Sequence, residues 1–428
     1  MKVDINSPAL RLTDADQAML DGKQGLADQM AMRIISRMAG IVGAEQLMDI
    51  TGAHIDSSLY MGEATLEFAE KLSDLGAQVK VPTTLNVSGV DEAAWQEWEV
   101  PASWAEKARL QMAAYEQMGC APTWTCAPYQ LEQRPQFGEQ VAWGESNAIV
   151  FANSVLGART ERYPDLLDIC AAITGRVPEV GLHLTENRAA QVHLQLEDIP
   201  AELQRHDSFF PVLGYVLGEI AGDRVACISG FDLEPTEDQL KGLGAAAASS
   251  GAVALFHIPG VTPEAPTLEV AFQGREPEEL VSISMDRLRA GRSSLTTASG
   301  TQLDMVVLGS PHFSLAEFQS LAPLLNGVSK HPSVQFLITT SRAMAVLAER
   351  AGLLEPIREF GGRITLDTCI LTTPMLPDAV VSLMTNSAKY AYYSPGLLNV
   401  SVAYGGMEEC VQSAALGQIT LQDSIWQN

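Results

Sequence analysis

Short apolar runs, partly β-branched, alternate along this chain with longer stretches in which apolar residues return every three or four positions. That alternation restricts the fold more than any other feature. The runs LMDITGA (47–53), AQVKV (77–81), AVALFHI (252–258), DMVVLG (304–309), SVQFLITT (333–340), GRITL (362–366) and AVVSLMT (379–385) have the length of buried strands. Helical spacing covers 13–42, 63–75, 102–118, 145–157, 163–174, 236–250, 275–290, 314–326 and 342–353. Strand followed by helix, repeated, requires crossover connections, so the expected class is α/β, with several α/β/α units and mainly parallel sheets. At 428 residues, 46% of them hydrophobic, the chain can bury two or three cores. The texture changes near residue 231, after RVACISGF, which divides the chain into regions 1–230 and 231–428. The part beyond about 366 could pack with either region.

Several function classes lose support at once. The formal charge of −25, from 52 acidic against 27 basic residues, opposes a nucleic-acid backbone as partner. No basic-then-apolar leader and no apolar run of spanning length is present, so the expectation is a cytoplasmic protein with no membrane contact. Six scattered cysteines do not form a disulfide framework. No CxxC, HExxH, GxSxG, P-loop or GxGxxG motif supports a zinc site, hydrolase, kinase or dehydrogenase.

Polar residues gather where the strands should end, which is where open α/β sheets bind ligands. His54 and Asp56 follow the first run, and Thr83, Thr84 and Asn86 the second. Ser310 and His312 follow DMVVLG, Ser341 and Arg342 follow SVQFLITT, and Asp367, Thr368 and Cys369 follow GRITL. Each has a structural alternative: Ser314 with Glu317 reads as a helix capping box, Thr83 and Thr84 after a proline read as turn residues, and a lone histidine is more often satisfied than catalytic. The recurrence carries more weight than any member.

Three segments are unusual. PTWTCAPYQ (122–130) holds Cys126 between prolines and aromatics, where neither regular helix nor strand can continue. AWGESNAIVFANSVLGARTER (142–162) places Glu145, Ser146 and Asn147 before an apolar helical stretch, with Arg159 after it. LDTCILTTP (366–374) puts Cys369 just past a strand. Two loop cysteines so far apart could equally be buried thiols acting as small hydrophobes.

Taken together with TGAHIDSSLYMG (51–62), VPTTLNVSG (81–89), GLHLTENR (181–188), LFHIPGVTPEAPT (255–267), VVLGSPHFSLAEF (306–318) and TNSAKYAYYSPG (385–396), these segments resemble, in order and over nearly the whole chain, the large subunit of aconitase X proteins. The resemblance implies an aconitase-like α/β fold, an iron–sulfur cluster, and dehydration of a small hydroxylated carboxylic acid. It also implies a small swivelling-domain subunit as heterodimer partner, which in the wider superfamily carries a serine base. Cys126 and Cys369 match the family's cluster cysteines. The third position departs from it, since many relatives have cysteine where this chain has Ser310. A 2Fe–2S cluster with Ser310 as a possible oxygen ligand is therefore favoured over 4Fe–4S.

For the substrate the expected binding residues are Thr83, Thr84, Ser146, Asn147, Lys389 and Arg159, the last as a bidentate carboxylate partner or, alternatively, as an exposed ion pair with Glu161. His54, Glu145 and Ser146 are the catalytic candidates, with His54 or Glu145 moving protons if the small subunit does not. Two activities belong to the resembled family: dehydration of cis-3-hydroxy-L-proline to Δ1-pyrroline-2-carboxylate, and dehydration of mevalonate 5-phosphate. The phosphorylated substrate calls for a basic pocket, and no Lys/Arg cluster lies near the site segments in sequence, which favours hydroxyproline. A non-catalytic binding subunit of the same fold is the alternative from another class.

Overall fold

The computed structural model describes residues 10–427, which form two compact units. The first contains the chain up to Glu92 together with Pro101–Ala189; the second contains Ala93–Val100 and everything from Ala190 onward. The expected division at 230/231 is displaced to Ala189. Strands on both sides of residue 231 belong to one sheet, so that point lies inside a core.

In the first unit, β1 (Leu47–Asp49) is followed by β2 (Gly52–Ile55), β3 (Thr83–Leu85), β4 (Val141–Trp143) and β5 (Arg176–Pro178). β1 and β5 pair antiparallel, while β3-β2-β4 form a parallel sheet. AQVKV, expected as a strand, is not one: its Val79 and Lys80 amides bond the carbonyls of Met118 and Ala172 at 2.9 and 2.8 Å. The strand begins instead after Pro82. The expected helix 13–42 is two helices, Asp14–Leu20 and Leu26–Val42, interrupted where Gly22 and Gly25 take positive φ. The expected helix 145–157 is Ser146–Phe151 followed by a π-helical turn, Ala152–Leu156.

The second unit holds two parallel sheets. β6 (Val192–Leu196), β7 (Ala226–Ser229), β8 (Phe256–His257) and β9 (Glu279–Ile283) are ordered β8-β7-β6-β9. β9 falls inside the expected helix 275–290. Its residues pair in parallel with Val192–Leu196, and the helix starts only at Met285, capped by Ser284. β10 (Met305–Leu308), β11 (Gln335–Thr340), β12 (Arg363–Leu366), β13 (Ser382–Thr385) and β14 (Ser401–Tyr404) form the second sheet in the order β12-β11-β10-β13-β14. Its core packs Val306, Leu308, Phe318, Phe336, Ile338 and Phe360. The helices Phe209–Ala221 and Glu237–Ser250 approach closely because Gly214 and Gly218 face the other helix; a Cβ on Gly214 would stand 2.1 Å from the Leu243 carbonyl oxygen. Among the described residues no helix is long and apolar enough to cross a membrane.

Candidate active site

Parallel sheets end all their strands on one edge, and in each unit that edge carries the polar groups. In the first unit β2, β3 and β4 run into Asp56, Asn86 and Gly144-Glu145 respectively. Asn86 donates to the Asp56 carboxylate. The buried Asp168 holds the turn from beneath, accepting from the Asp56 and Ser57 amides at 2.7 and 3.1 Å and from Ser57 Oγ at 2.7 Å. Burial pushes the Asp168 carboxyl up from its ordinary range, against the opposing Ser57 bonds. Gly144 has no room for a side chain here, since a Cβ would lie 2.8 Å from Asp168 Oδ2 and 2.9 Å from Asp56 Cβ.

The Glu145–Ser146–Asn147 segment is brought to Cys126. Glu145 caps the helix Ser146–Phe151, accepting from the Ala148 amide at 2.9 Å, and Ser146 Oγ donates to its other oxygen at 3.2 Å. Asn147 is 1% exposed and acts as a bracket: its Nδ2 donates to the Cys126 carbonyl at 3.0 Å and to Glu145, and its Oδ1 accepts from Tyr129 Oη at 2.6 Å. These bonds tie Asn147 to the Cys126 loop.

His54, Thr83 and Thr84 lie within the strands rather than past them, because β2 extends to Ile55 and β3 covers Thr83–Leu85. His54 is fully buried and its Nδ1 bonds Thr84 Oγ1 at 2.8 Å. Burial drives its pKa down to about 3, partly offset by the Thr125 backbone, so the ring is neutral at pH 7. Thr83 Oγ1 donates to the Val81 carbonyl at 2.8 Å. Arg159 donates to the His183 carbonyl at 3.2 Å and to Thr185 Oγ1 at 2.8 Å. Asp56 and Asn86 are the strand-end groups that sequence reasoning left out of the site. Their signal was position alone, one residue beyond the true strand ends.

In the second unit the strand order reverses between β10 and β13, and a cavity of about 520 Å³ opens at that switch point. Gly309 and Ser310 from the end of β10, and Asn386, Ser387 and Lys389 from beyond β13, line it. Gly309 takes φ 100°, and a Cβ would stand 2.2 Å from the Thr339 carbonyl oxygen. A cis peptide joins Ser310 to Pro311. Ser387 does two things: it caps the helix Ala388–Leu398, accepting from the Tyr390 amide at 3.1 Å, and it donates to the Ser310 carbonyl. The neighbouring loop carries Cys369. His312 Nε2 donates to the Thr368 carbonyl at 3.0 Å, tying the Ser310 loop to the cysteine loop, and Asp367 accepts from the Arg342 amide at 2.7 Å and Arg342 Nε at 3.0 Å. Burial brings His312 down to about 4.

The cavity also gathers basic residues that sequence scatters, Arg205, Lys241 and Lys389. Lys241 is buried against Asp238, at 2.9 Å, and Glu317, so its charge is compensated. Asp207 and Glu408 share the lining.

The thiols divide into two kinds. Cys120, Cys170, Cys227 and Cys410 are buried, and burial pushes all four up, Cys120 and Cys227 to about 12, which keeps them protonated. Cys126 and Cys369 are partly exposed beside strand ends. Among the described residues no three His, Cys, Asp or Glu side chains gather as a metal site. Thiols such as Cys126 and Cys369, and a hydroxyl such as that of Ser310, are each a kind of donor that iron–sulfur centres accept.

Comparison with known proteins decides the family. Models of the aconitase X first, second and third domains match residues 9–186, 190–293 and 303–416. A cis-3-hydroxy-L-proline dehydratase of Pseudomonas aeruginosa is 47% identical over 95% of this chain and 70% of its own length. The chain belongs to the aconitase X family. A cis-3-hydroxy-L-proline dehydratase of Hypocrea jecorina is 46% identical over 96% of this chain and 69% of its own. The phosphomevalonate dehydratase large subunit of Methanothermobacter thermautotrophicus is 37% identical over 92% of this chain and 96% of its own. The crystal structure of Thermococcus kodakaraensis aconitase X in its holo-form superposes with TM-score 0.85 at 34% identity, covering 95% of this chain and all of that one. The fold is thus aconitase-like, and this aconitase X chain is an enzyme of the dehydratase type.

Proposed function

We propose that this aconitase X chain dehydrates cis-3-hydroxy-L-proline to Δ1-pyrroline-2-carboxylate as the large subunit of a cytoplasmic heterodimer. The observation that carries the substrate is identity: 47 and 46% with the hydroxyproline dehydratases against 37% with a phosphomevalonate relative. A partner is supported by the match to relatives called large subunits, along 96 and 98% of their own lengths.

The residues we assign to an iron–sulfur cluster of the 2Fe–2S type are Cys126, Cys369 and Ser310, on the chemistry of their side chains. When bound, the cluster supplies Lewis acidity for departure of the hydroxyl. The chain's own residues do the rest. Asn147 holds the Cys126 loop and His312 holds the Cys369 loop, so both thiols are oriented before metal arrives. Lys389, on the wall of the switch-point cavity, is assigned to the substrate carboxylate, and Ser146, at a helix start, is the candidate donor of its own unit. Proton movement within this chain falls to Glu145. His54, buried and held down to about 3, is neutral at pH 7 and is not assigned that step.

Turnover of both substrates by anaerobically purified complex tests the choice. The expected result is Δ1-pyrroline-2-carboxylate from hydroxyproline and no reaction with mevalonate 5-phosphate. The reverse pattern moves the chain to the phosphorylated substrate, which Arg205 and Lys389 on the cavity wall would then serve.

A further inference from the structure

The helix Met407–Leu416 begins at the wall of the switch-point cavity, to which Met407 and Glu408 contribute. Two carboxylates hold consecutive amides of that wall. Asp207, itself a lining residue, accepts from the Met407 amide at 2.6 Å, and Glu409 accepts from the Gly406 amide at 2.6 Å. Gly406 leaves little slack, since a Cβ would stand 2.6 Å from Asp207 Oδ1 and 2.8 Å from His206 Cε1.

A glutamate at the third helical position that accepts from the N-cap amide makes an ordinary capping box, which accounts for one oxygen of Glu409. The other oxygen is the unusual one. Glu409 is 4% exposed, and its Oε1 accepts from the Gln422 amide at 2.6 Å and from Arg292 Nη2 at 3.3 Å. Gln422 belongs to residues 421–427, an arm that packs back after the helix, and Arg292 grips the same arm. It donates to Asp423 at 2.6 Å, and its guanidinium stands 5.3 Å from the centre of the Trp426 ring. Trp426 is 2% exposed, and its carbonyl accepts from Arg289, on the helix that carries Arg292. Leu421 reaches the wall as well: a Cβ on Gly405 would meet Glu409 Oε2 at 2.9 Å and Leu421 Cδ2 at 3.1 Å. One buried carboxylate thus joins the arm to the amides that end at the cavity.

We propose that Glu409 is a positioning residue, through which the arm 421–427 fixes the 406–408 wall of the substrate cavity. The inference rests on that cavity taking the substrate, and it adds a role for the arm that the substrate assignment does not contain. Glutamine at this position separates the role from capping. It can still cap, with its carbonyl oxygen on the Gly406 amide. Its NH2 group then faces two further donors, the Gln422 amide and Arg292, where only an acceptor serves. Turned over, it keeps the arm and leaves the Gly406 amide without its acceptor. Either way the connection is broken at one end.

The test is steady-state turnover of hydroxyproline and of mevalonate 5-phosphate by the complete complex, as wild type and Glu409→Gln, with the melting temperature recorded. A displaced wall weakens binding without touching the reacting groups. KM for the substrate that is turned over should therefore rise about tenfold while kcat stays within about twofold. A purely structural part for Glu409 would lower kcat through loss of folded enzyme and leave KM alone. An unchanged KM overturns the inference, whatever happens to kcat. If Glu409→Gln does not fold, Trp426→Leu reads the same connection from the arm, because it takes the ring from beside Arg292 and leaves Glu409 in place. KM should then rise about threefold, and an unchanged value overturns the inference. If the wild type turns over neither substrate, the functional reading fails separately, and the connection is read by hydrogen exchange of the complex. The 405–408 amides of Glu409→Gln should exchange about tenfold faster than in wild type, with the β10 amides as reference, and equal exchange overturns the proposal.

Discussion

His54 and Asp56 are two residues apart and have opposite fates. One is sealed in a strand; the other stands at its end, bonded by Asn86. β2 runs to Ile55, two residues past the expected end, and β3 covers Thr83–Leu85 rather than 77–81, which puts His54, Thr83 and Thr84 inside strands. Cys126 and Cys369 are the two thiols not sealed in a core. Burial of histidine gives a prediction at this scale. His54 and His183 are held down to about 3 and His312 to about 4, below the ordinary value of 6.5. Between those values the unfolded chain binds protons that the folded one does not, so stability is full above about pH 6.5 and is lost as pH falls toward the folded values. Asp168, Glu116 and Glu317, raised by burial, work in the opposite sense, and His193, lowered by burial, works with the other histidines. Acidification from pH 7 to 5.5 should cost about 1 kcal/mol per histidine in urea unfolding. A flat profile over that range would show that the rings charge in place.

At the scale of elements, long amphipathic helices were legible and short polar strands were not. The sequence of β9, ELVSI, has no clear alternation and sits before MDRLRAGRSS, whose helical spacing absorbed it into one expected helix. Three-residue strands such as Thr83–Leu85 and Val141–Trp143 offer too few positions for a period to show. The loops between elements are held by single residues, and two substitutions test that. Gly144→Ala drives a methyl group into Asp168 and Asp56, at an expected cost of about 1–3 kcal/mol with loss of turnover. Thermal melting and activity together check it, and a fully active, equally stable variant would mean that the β2 and β4 ends do not need their present closeness. Ser387→Ala removes both the cap of the Ala388–Leu398 helix and the donor to Ser310. It should lower stability by about 1–2 kcal/mol, and the expected loss of iron retention separates the second role from simple capping.

For the whole molecule, the α/β class and parallel sheets followed from alternation, whereas the domain boundary did not. Nothing in RVACISGF distinguishes a strand at the heart of a sheet from one at a border, and only the pairing of β6 with both β7 and β9 places it. Arg205, Lys241 and Lys389, far apart in sequence, line one cavity together with Asp207, Asp238, Glu317 and Glu408. The chain spans 70% of the length of the Pseudomonas dehydratase. Purified alone it should turn over hydroxyproline at least about 100-fold more slowly than with a small partner, since an active site open to water loses its oriented electrostatics. Full activity of the isolated chain would remove the partner from the account.

The most direct measurement is iron content beside hydroxyproline turnover in the anaerobic complex, for wild type, Cys126→Ala, Cys369→Ala and, as control, Cys120→Ala. The account predicts that the first two variants lose iron and activity together while Cys120→Ala, which alters only a buried thiol, keeps both. Turnover that persists in an iron-free Cys126→Ala or Cys369→Ala complex would contradict it.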